Sequence, residues 1–485
     1  MVNQYSKHMK EKGDIMRFLI GRVLLVLFSL TIWIALATGA MAVSDGTESS
    51  ASEMIRVGLF FGSSAKQELQ LDTAADSGYQ FGFYDESRVL HVVGSIPTRN
   101  VLVVPDLSAS VSSGEIGGFH ICLPARFSSF EEAAENARLN GGFPAFCNGE
   151  FCAMIGSYQT LGDAEAALSQ LGRDAVVYED SGRGVLVCNM EDAAPILLFD
   201  YSSTHALVLS PLDSVVQPIT TCAGTQYRGD FQFNRISPET LTVSNCVSIE
   251  DYVKGVVPNE MSASWPMEAL KAQAVCARTY ALKNLNCFRI FGFDVADDTS
   301  SQVYRGLRDA DKTTDAACDA TSGEVLRYED ELCAVYYFAA DGGATENAER
   351  VWNDVSIPYL RSVKDPYEEE LNFYCKTWSA SASREYLGAL FADYGENGIV
   401  QSISFGNHLY VGDNVREFLA LIGAPYNSRS FTITYDGDSD RYVINGKGSG
   451  HNLGMSQWGA FSMAQNHDMN YKDILSFYFS GASVS

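Results

Sequence analysis

The chain has 485 residues and carries 34 Lys and Arg against 60 Asp and Glu, a formal charge of −26. This length accommodates two or three globular cores, and the acidity argues against nucleic acid as a partner, because neutralising phosphates takes clustered Lys and Arg. Eleven cysteines are dispersed without paired C-x-x-C spacing, so neither a zinc-finger type of site nor a particular disulfide pairing is dictated.

At the start, Lys7, Lys10, Lys12, Arg17 and Arg22 precede an apolar run over residues 23–42 that ends Ala40-Met41-Ala42. Basic, apolar and small residues in that order make a secretory signal, and the run is also long enough to span a bilayer if left uncut. Residues 1–42 are therefore expected to be a signal peptide or signal anchor. The remainder is exported to the extracellular or cell-wall face, either secreted or held in the membrane through residues 23–42. The Ser-, Gly- and Thr-rich stretch 44–52 reads as a flexible tether.

Residues 54–110 show short alternating stretches split by Gly, Ser and Asp, the pattern of a small β-rich unit. Over residues 115–190 the apolar period switches repeatedly. Residues 119–123 are apolar, 128–140 helical, 143–147 apolar, then Asn148-Gly149, 151–155 apolar, 161–171 helical and 175–178 apolar. That is β-α-β-β-α-β, with Asn-Gly as a hairpin signal, the order of a ferredoxin-like split βαβ unit. Phe143, Phe146, Phe151 and Tyr158 offer rings for stacking, although aromatic residues at strand spacing more often fill a core.

Residues 195–485 begin with β-like segments at 196–210, 225–234 and 241–245. The stretch 256–284 then reads VVPNEMSASWPMEALKAQAVCARTYALKN. Glu260 follows Pro258 and Asn259, so it is expected where an extended segment ends, held by backbone. Pro266 and Glu268 open a helix on which Leu270, Ala274, Ala277 and Ala281 form a small apolar stripe. A carboxyl group fixed in this way suits general acid work; it suits hydrogen bonding to the helix start equally well. A strand is predicted at 333–340 and helices at 456–465 and 471–479, the last capped by Asn470. The class is α+β. A late glycine loop, GSGHNLGMSQWGAFSMAQ over 448–465, holds His451, Ser456 and Gln457.

The Glu260 stretch and the glycine loop together resemble the SpoIID/LytB family. So do Tyr227-Arg228-Gly229, the runs SIEDY at 248–252 and GVVP at 255–258, QVYRG at 302–306, GGATE at 342–346 and Pro358-Tyr359-Leu360, in the same order. The resemblance covers roughly residues 196–485 and implies a β-rich catalytic domain with packed helices. It further implies a lytic transglycosylase of peptidoglycan, acting on glycan strands stripped of stem peptides, with Glu260 as single acid/base. Met261 and Trp265 would make an apolar setting that keeps this carboxyl protonated. Its first task is to protonate the leaving oxygen and its second to direct the sugar's own 6-hydroxyl onto the anomeric carbon, leaving a 1,6-anhydro-muramyl end. Gln273, Arg278, His451, Ser456 and Gln457 are then candidate substrate-binding residues. Helix capping competes for Ser456, loop stapling for His451, and ordinary solvation for Gln273 and Arg278. Asp341 and Glu346, in the turn segment AADGGATE, are candidates for a second carboxylate at a separation from Glu260 that sequence does not give, against a turn-forming role around Gly342-Gly343.

The resemblance places the protein in sporulation or wall remodelling, beside an amidase that removes stem peptides. The LytB side implies the alternative: a non-catalytic wall binder that recruits or enhances an amidase. No cofactor is implied. Members carry a zinc site with cysteines in the segment that here reads GFDVADDTSSQVYRG, 292–306; Ala296 and Ser301 stand at the thiol positions, so no such metal is expected. Asp294, Asp297 and Asp298 are hard-cation ligands by type but fit a solvated loop better. Asn452-Leu453 replaces a commoner glycine and aliphatic pair after His451. Gly156-Ser157-Tyr158 and the following Ala-rich helix are similar to the SPOR domain, which binds peptide-free glycan strands, so residues 115–190 read as a SPOR-like domain.

Overall fold

The computed structural model describes residues 54–485 apart from 203, 213–217, 353–355 and 396; the signal segment expected at 1–42 lies outside them. Ile55, Val57 and Leu59 alternate along Met54–Phe60 and all face the core, which makes this segment a strand with one buried side. It pairs antiparallel with Thr240–Ser248, Ile55 opposite Val247. These two are neighbours in a seven-stranded sheet. It runs Val295–Ala296, Met54–Phe60, Thr240–Ser248, Asp230–Ser237, Leu207–Pro211, Tyr79–Tyr84, Leu90–Ile96.

A second sheet has ten strands and includes the predicted β-α-β-β-α-β block. The block comprises Phe119–Cys122, α1 (Phe130–Leu139), Phe143–Cys147, Glu150–Tyr158, α2 (Leu161–Leu171) and Val176–Glu179. Its spatial strand order is fourth, first, third, second. Asn148 and Gly149 both take positive φ, 51° and 89°, as a tight hairpin turn of right-handed strands requires. Ser129 and Thr160 cap the two helices through their hydroxyls. Phe143, Phe146 and Phe151 are buried, so they serve as core and not as a sugar-stacking surface. Beyond the block, Phe143–Cys147 pairs with Pro195–Asp200, and Val185–Asn189 with Asn100–Pro105. The sheet thus runs across all three segments recognised in the sequence.

The helical layer is built on α3 (Ile249–Glu260) and α4 (Met267–Lys283). The expectation for Glu260 needs correction: it is the last residue of α3, not a residue of a turn after an extended segment. Pro258 lies within the helix. A proline there removes one amide donor and disfavours a helical residue before it. The helix nevertheless continues to Glu260, its last turn held by Asn259 Nδ2, which donates to the carbonyl of Gly255 at 2.8 Å, and by Met261 N, which donates to that of Val257 at 2.9 Å. In α4, Ala269, Ala272, Ala274, Ala277 and Ala281 are all fully buried. A helix apolar on every side belongs inside a core, and α4 packs against α3, α5 (Lys312–Ala320) and the two C-terminal helices.

Two further differences bear on the site. The strand expected at 333–340 is reduced to Tyr337–Phe338, which pairs parallel with Met455–Ser456. This short pairing ties the glycine loop to the wall that carries Tyr337. Residues 378–446 also form two three-stranded sheets around a core of their own, with Trp378, Ile403, Phe418 and Ile444 inside. This insertion contains α7 (Arg384–Leu387) and α8 (Val415–Leu421), following α6 (Ala348–Trp352) in the main body. The helices α9 (Gln457–Asn466) and α10 (Tyr471–Tyr478) close the chain, capped by Ser456 and Asn470.

Candidate active site

The C-terminus of α3 delivers Glu260 to the wall of an open groove of about 590 Å³. Its Oε1 accepts from the amide N–H of Val303 at 3.2 Å, and the hydroxyl of Tyr337 and the side chain of Gln457 also bond the carboxylate. Burial raises the pKa of this carboxyl by disfavouring charge, while the three donors pull it down. Burial wins, and the group is left biased toward the protonated form an acid catalyst needs. Trp265 contributes less directly than expected: it packs on Trp458 and Phe461, with ring centroids at 4.7 and 5.1 Å.

A chain of hydrogen bonds orients Tyr337. Tyr252 donates to Gln302 Oε1 at 3.0 Å, and Gln302 Nε2 donates to the Tyr337 hydroxyl at 2.9 Å. Gln457 is held from the other side by Gln273, whose Oε1 accepts from Gln457 Nε2 at 3.3 Å. Gln273 is completely buried, so it positions Gln457 rather than meeting a ligand.

His451 lines the same groove. Its Nδ1 accepts from the amide N–H of Leu453 at 3.1 Å, which puts the proton on Nε2 and aims it at the carbonyl of Tyr337. Burial, followed by the charge of Arg416, depresses its pKa to about 4. The imidazole is therefore neutral and staples the loop to the Tyr337 strand. The Asn452-Leu453 departure is accommodated: Asn452 takes φ +63°, a conformation asparagine tolerates. Its Nδ2 donates to the carbonyl of Asp341 at 2.8 Å. Gly454 follows at φ +80°, where a Cβ would fall 2.1 Å from the carbonyl oxygen of Tyr336.

The remaining candidates fall away from the groove. Arg278 is 1% exposed and pairs with Glu250 at 2.7 Å while donating to the carbonyls of Glu324 and Cys318. It ties α4 to α3 and α5, which is a structural role. Ser456 caps α9, accepting from Gly459 N at 3.2 Å, and donates to Glu368. Asp341 sits with Asp365 and Glu368 in a buried cluster whose ligand-type oxygens lie within 4.8 Å of one another. Glu368 accepts the amides of Asp341 and Gly342 at 2.8 and 3.0 Å. Glu346 is buried and accepts from Gln401 at 2.7 Å. Asp294 pairs with Arg56 and Arg88, and Asp297 with Arg305, so these acids are spoken for by arginines. At the positions where the family's thiols would stand, Ser301 Oγ accepts from Ala296 N at 3.0 Å. An aliphatic group and an engaged hydroxyl do not fit a zinc ion.

The acid that does share the groove with Glu260 is Asp413, with Arg416 and Asn427 beside it. All three belong to the inserted subdomain, and no sequence motif marks them. Tyr337 likewise lies in no motif, and Gln302 and Val303 carry no mark beyond their place in the QVYRG run. A slightly larger cleft of about 650 Å³ is lined by Glu68, Glu239, Gln67 and three serines, with no histidine or cationic side chain.

Residues 237–328 match the family model described as Stage II sporulation protein. An uncharacterized protein of Brachyspira hyodysenteriae is 38% identical over 283 residues, covering 54% of this chain and 73% of that protein. The amidase enhancer of Bacillus subtilis is 30% identical over 291 residues, 48% of this chain but only 40% of its own length. Stage II sporulation protein D of the same organism is 31% identical over 266 residues, 49% of this chain and 75% of that protein. Similarity sustained over three quarters of that relative, together with the family match over residues 237–328, means that the chain belongs to the SpoIID/LytB family.

Proposed function

We propose that this protein is an exported peptidoglycan lytic transglycosylase that cleaves peptide-stripped glycan strands, in sporulation or wall remodelling. The supporting observation is a part-buried carboxyl of raised pKa, Glu260, on the wall of an open groove with three donors converging on it. Glu260 gives its proton to the glycosidic oxygen as the bond from that oxygen to the anomeric carbon breaks. The resulting carboxylate takes the proton of the sugar's 6-hydroxyl as its oxygen bonds to the anomeric carbon. The enzyme returns to its starting protonation, no water is consumed, and a 1,6-anhydro end remains. The β-α-β-β-α-β block serves in this reading as a SPOR-like module for the same strands.

The test is incubation of the protein and its Glu260→Gln variant with peptide-free strands, followed by mass spectrometry of the ends. Anhydro ends made by the parent alone support the proposal. Reducing ends sink it in favour of hydrolysis with Asp413 as the second carboxylate. A second reading, a wall binder that stimulates an amidase, is favoured by the relative named amidase enhancer; strands bound but left intact by both proteins would select it.

A further inference from the structure

The groove changes character along its length. Around Glu260 stand the neutral hydroxyls of Tyr280 and Tyr337; farther along stand Arg416, Asp413, Asn427 and the neutral ring of His451. Arg416 Nη2 donates to Asp413 Oδ2 at 2.9 Å, and its Nε lies 2.8 Å from Oδ1. Among the described residues Asp413 is its sole ion-pair partner. A guanidinium carries five N–H groups in one plane, so one edge meets Asp413 while Nη1 and the second Nη2 hydrogen have no acceptor among the described residues. The side chain is 28% exposed, so that edge is open to the groove.

Two other features make this end a place for an anion. Arg429 is fully buried, donates from Nη1 to the carbonyl of Arg350 at 3.2 Å, and leaves Nε and Nη2 without a described acceptor. It and Arg416 both act on His451 as positive charges, opposed there by Asp413 alone. Glu346 and Asp413 both face Arg429 as acids, so the open edge of Arg416 is the cationic group this end presents to a ligand in a chain of charge −26. Asn427 accepts from Ser449 Oγ at 3.5 Å through Oδ1, which leaves its amide nitrogen to donate.

We infer that Arg416, with Asn427, forms a carboxylate-reading subsite of the Glu260 groove, and that it takes the free lactyl carboxylate of a muramyl sugar. The inference rests on the glycan-strand reading above. On such a strand the lactyl group is the acid attached directly to a sugar; it is a carboxylate when the stem peptide is gone and a neutral amide when the peptide is present. A planar guanidinium edge distinguishes the two through charge and through two parallel acceptors. The subsite would thus be the feature of this chain that selects stripped strands.

The test uses the full chain carrying Glu260→Gln, so that binding is read without turnover. Peptide-free strands, the same strands with their carboxyls converted to methylamides, and peptide-bearing strands are titrated in parallel. The expected result is about tenfold tighter binding of peptide-free strands than of amidated ones, the scale of one charge-assisted contact. Adding Arg416→Gln lowers the first affinity to the second and leaves the second unchanged. Equal affinities in the parent, or an equal loss for both strands in the variant, overturn the subsite. Arg416-dependent binding that is tightest for peptide-bearing strands overturns the lactyl assignment and gives the carboxylate to the stem. If the variant does not fold, the parent decides alone: its preference must shrink as salt rises, and a salt-independent preference overturns the inference. Preference without anhydro ends in the active chain would sink the transglycosylase and leave the subsite standing.

Discussion

Gln302 Nε2 donates to the hydroxyl of Tyr337 at 2.9 Å, which leaves the phenol's own proton for Glu260. The backbone of Tyr337 is fixed in turn by His451 and by its pairing with Met455. Glu260 is thus oriented by a strand that the glycine loop holds in place. This relation joins two motifs almost two hundred residues apart: one supplies the carboxyl and the other its support.

Removing the hydroxyl gives a directional result. Tyr337 lowers the pKa of Glu260 by stabilising the carboxylate, so Tyr337→Phe moves that pKa up. An acid works while protonated, so the alkaline limb of the kcat/KM profile moves to higher pH, while kcat falls by about tenfold as the carboxyl loses its orientation. A profile measured on peptide-free strands with an unmoved limb would show that Tyr337 does not act on Glu260.

His451 makes a prediction about stability rather than rate. Its folded-state pKa of about 4 lies below the ordinary 6.5, so the unfolded chain binds the proton first. Stability is complete above pH 6.5 and declines as pH falls toward 4. With one unit worth about 1.4 kcal/mol, and part of the ring wet by the groove, the loss is about 2 kcal/mol. In His451→Asn the amide oxygen replaces Nδ1 as acceptor for Leu453, so this decline flattens and activity drops less than about tenfold. Denaturant melts from pH 7 to 4 check the first point. Loss of more than about a thousandfold in kcat, in a folded variant, would make His451 a catalytic group instead.

The parts of this architecture set by local order were legible before any coordinates. Alternation between periods of two and 3.6 predicted the β-α-β-β-α-β block, and Asn148-Gly149 marked its turn. What depends on remote partners was not. Nothing in Met54–Phe60 names Thr240–Ser248 as its neighbour, and nothing in α8 points Arg416 at a groove whose acid lies on α3. Pro258 misled because the turn that follows it is held in the helix by a side-chain bond from Asn259 to Gly255. Arg278 was misassigned for another reason: α4 is buried on every side, so helical periodicity has no exposed face by which to separate a ligand contact from an internal tie.

The burial of Arg278 has its own consequence. Arg278→Ala takes the donor from two carbonyls and leaves Glu250, whose side chain is 30% exposed, with the amide of Gly323 at 3.0 Å, a loss of about 2–3 kcal/mol. Affinity for peptide-free strands in the Glu260→Gln background should stay within about twofold in whatever fraction folds, because the side chain never reaches the groove. Calorimetry and glycan titration on the same samples separate the two effects. Weakened binding in a variant that melts at the parental temperature would return Arg278 to the substrate site.

Asp341, Asp365 and Glu368 contribute a pH effect of opposite sign. Burial, and then the charges of Glu368 and Asp365, push the Asp341 carboxyl far above its ordinary 3.8, and in its protonated form it donates a hydrogen bond to Asp365. A folded-state pKa above the unfolded value means that stability is complete below pH 3.8 and is lost as pH rises through the folded value. Asp341→Asn preserves the donor to Asp365 and the acceptor for Gly343 N, which lies 2.7 Å from Oδ1, but cannot ionise. The variant should melt about 2 °C or more above the parent at pH 8, with a narrower gap at pH 5. Asp341→Ala, which removes both bonds, should melt lower at each pH. An asparagine variant whose advantage is absent or independent of pH would show that the cluster does not hold a shared proton, and that its carboxylates are stabilised by the helix start at Ser456 and the loop amides alone.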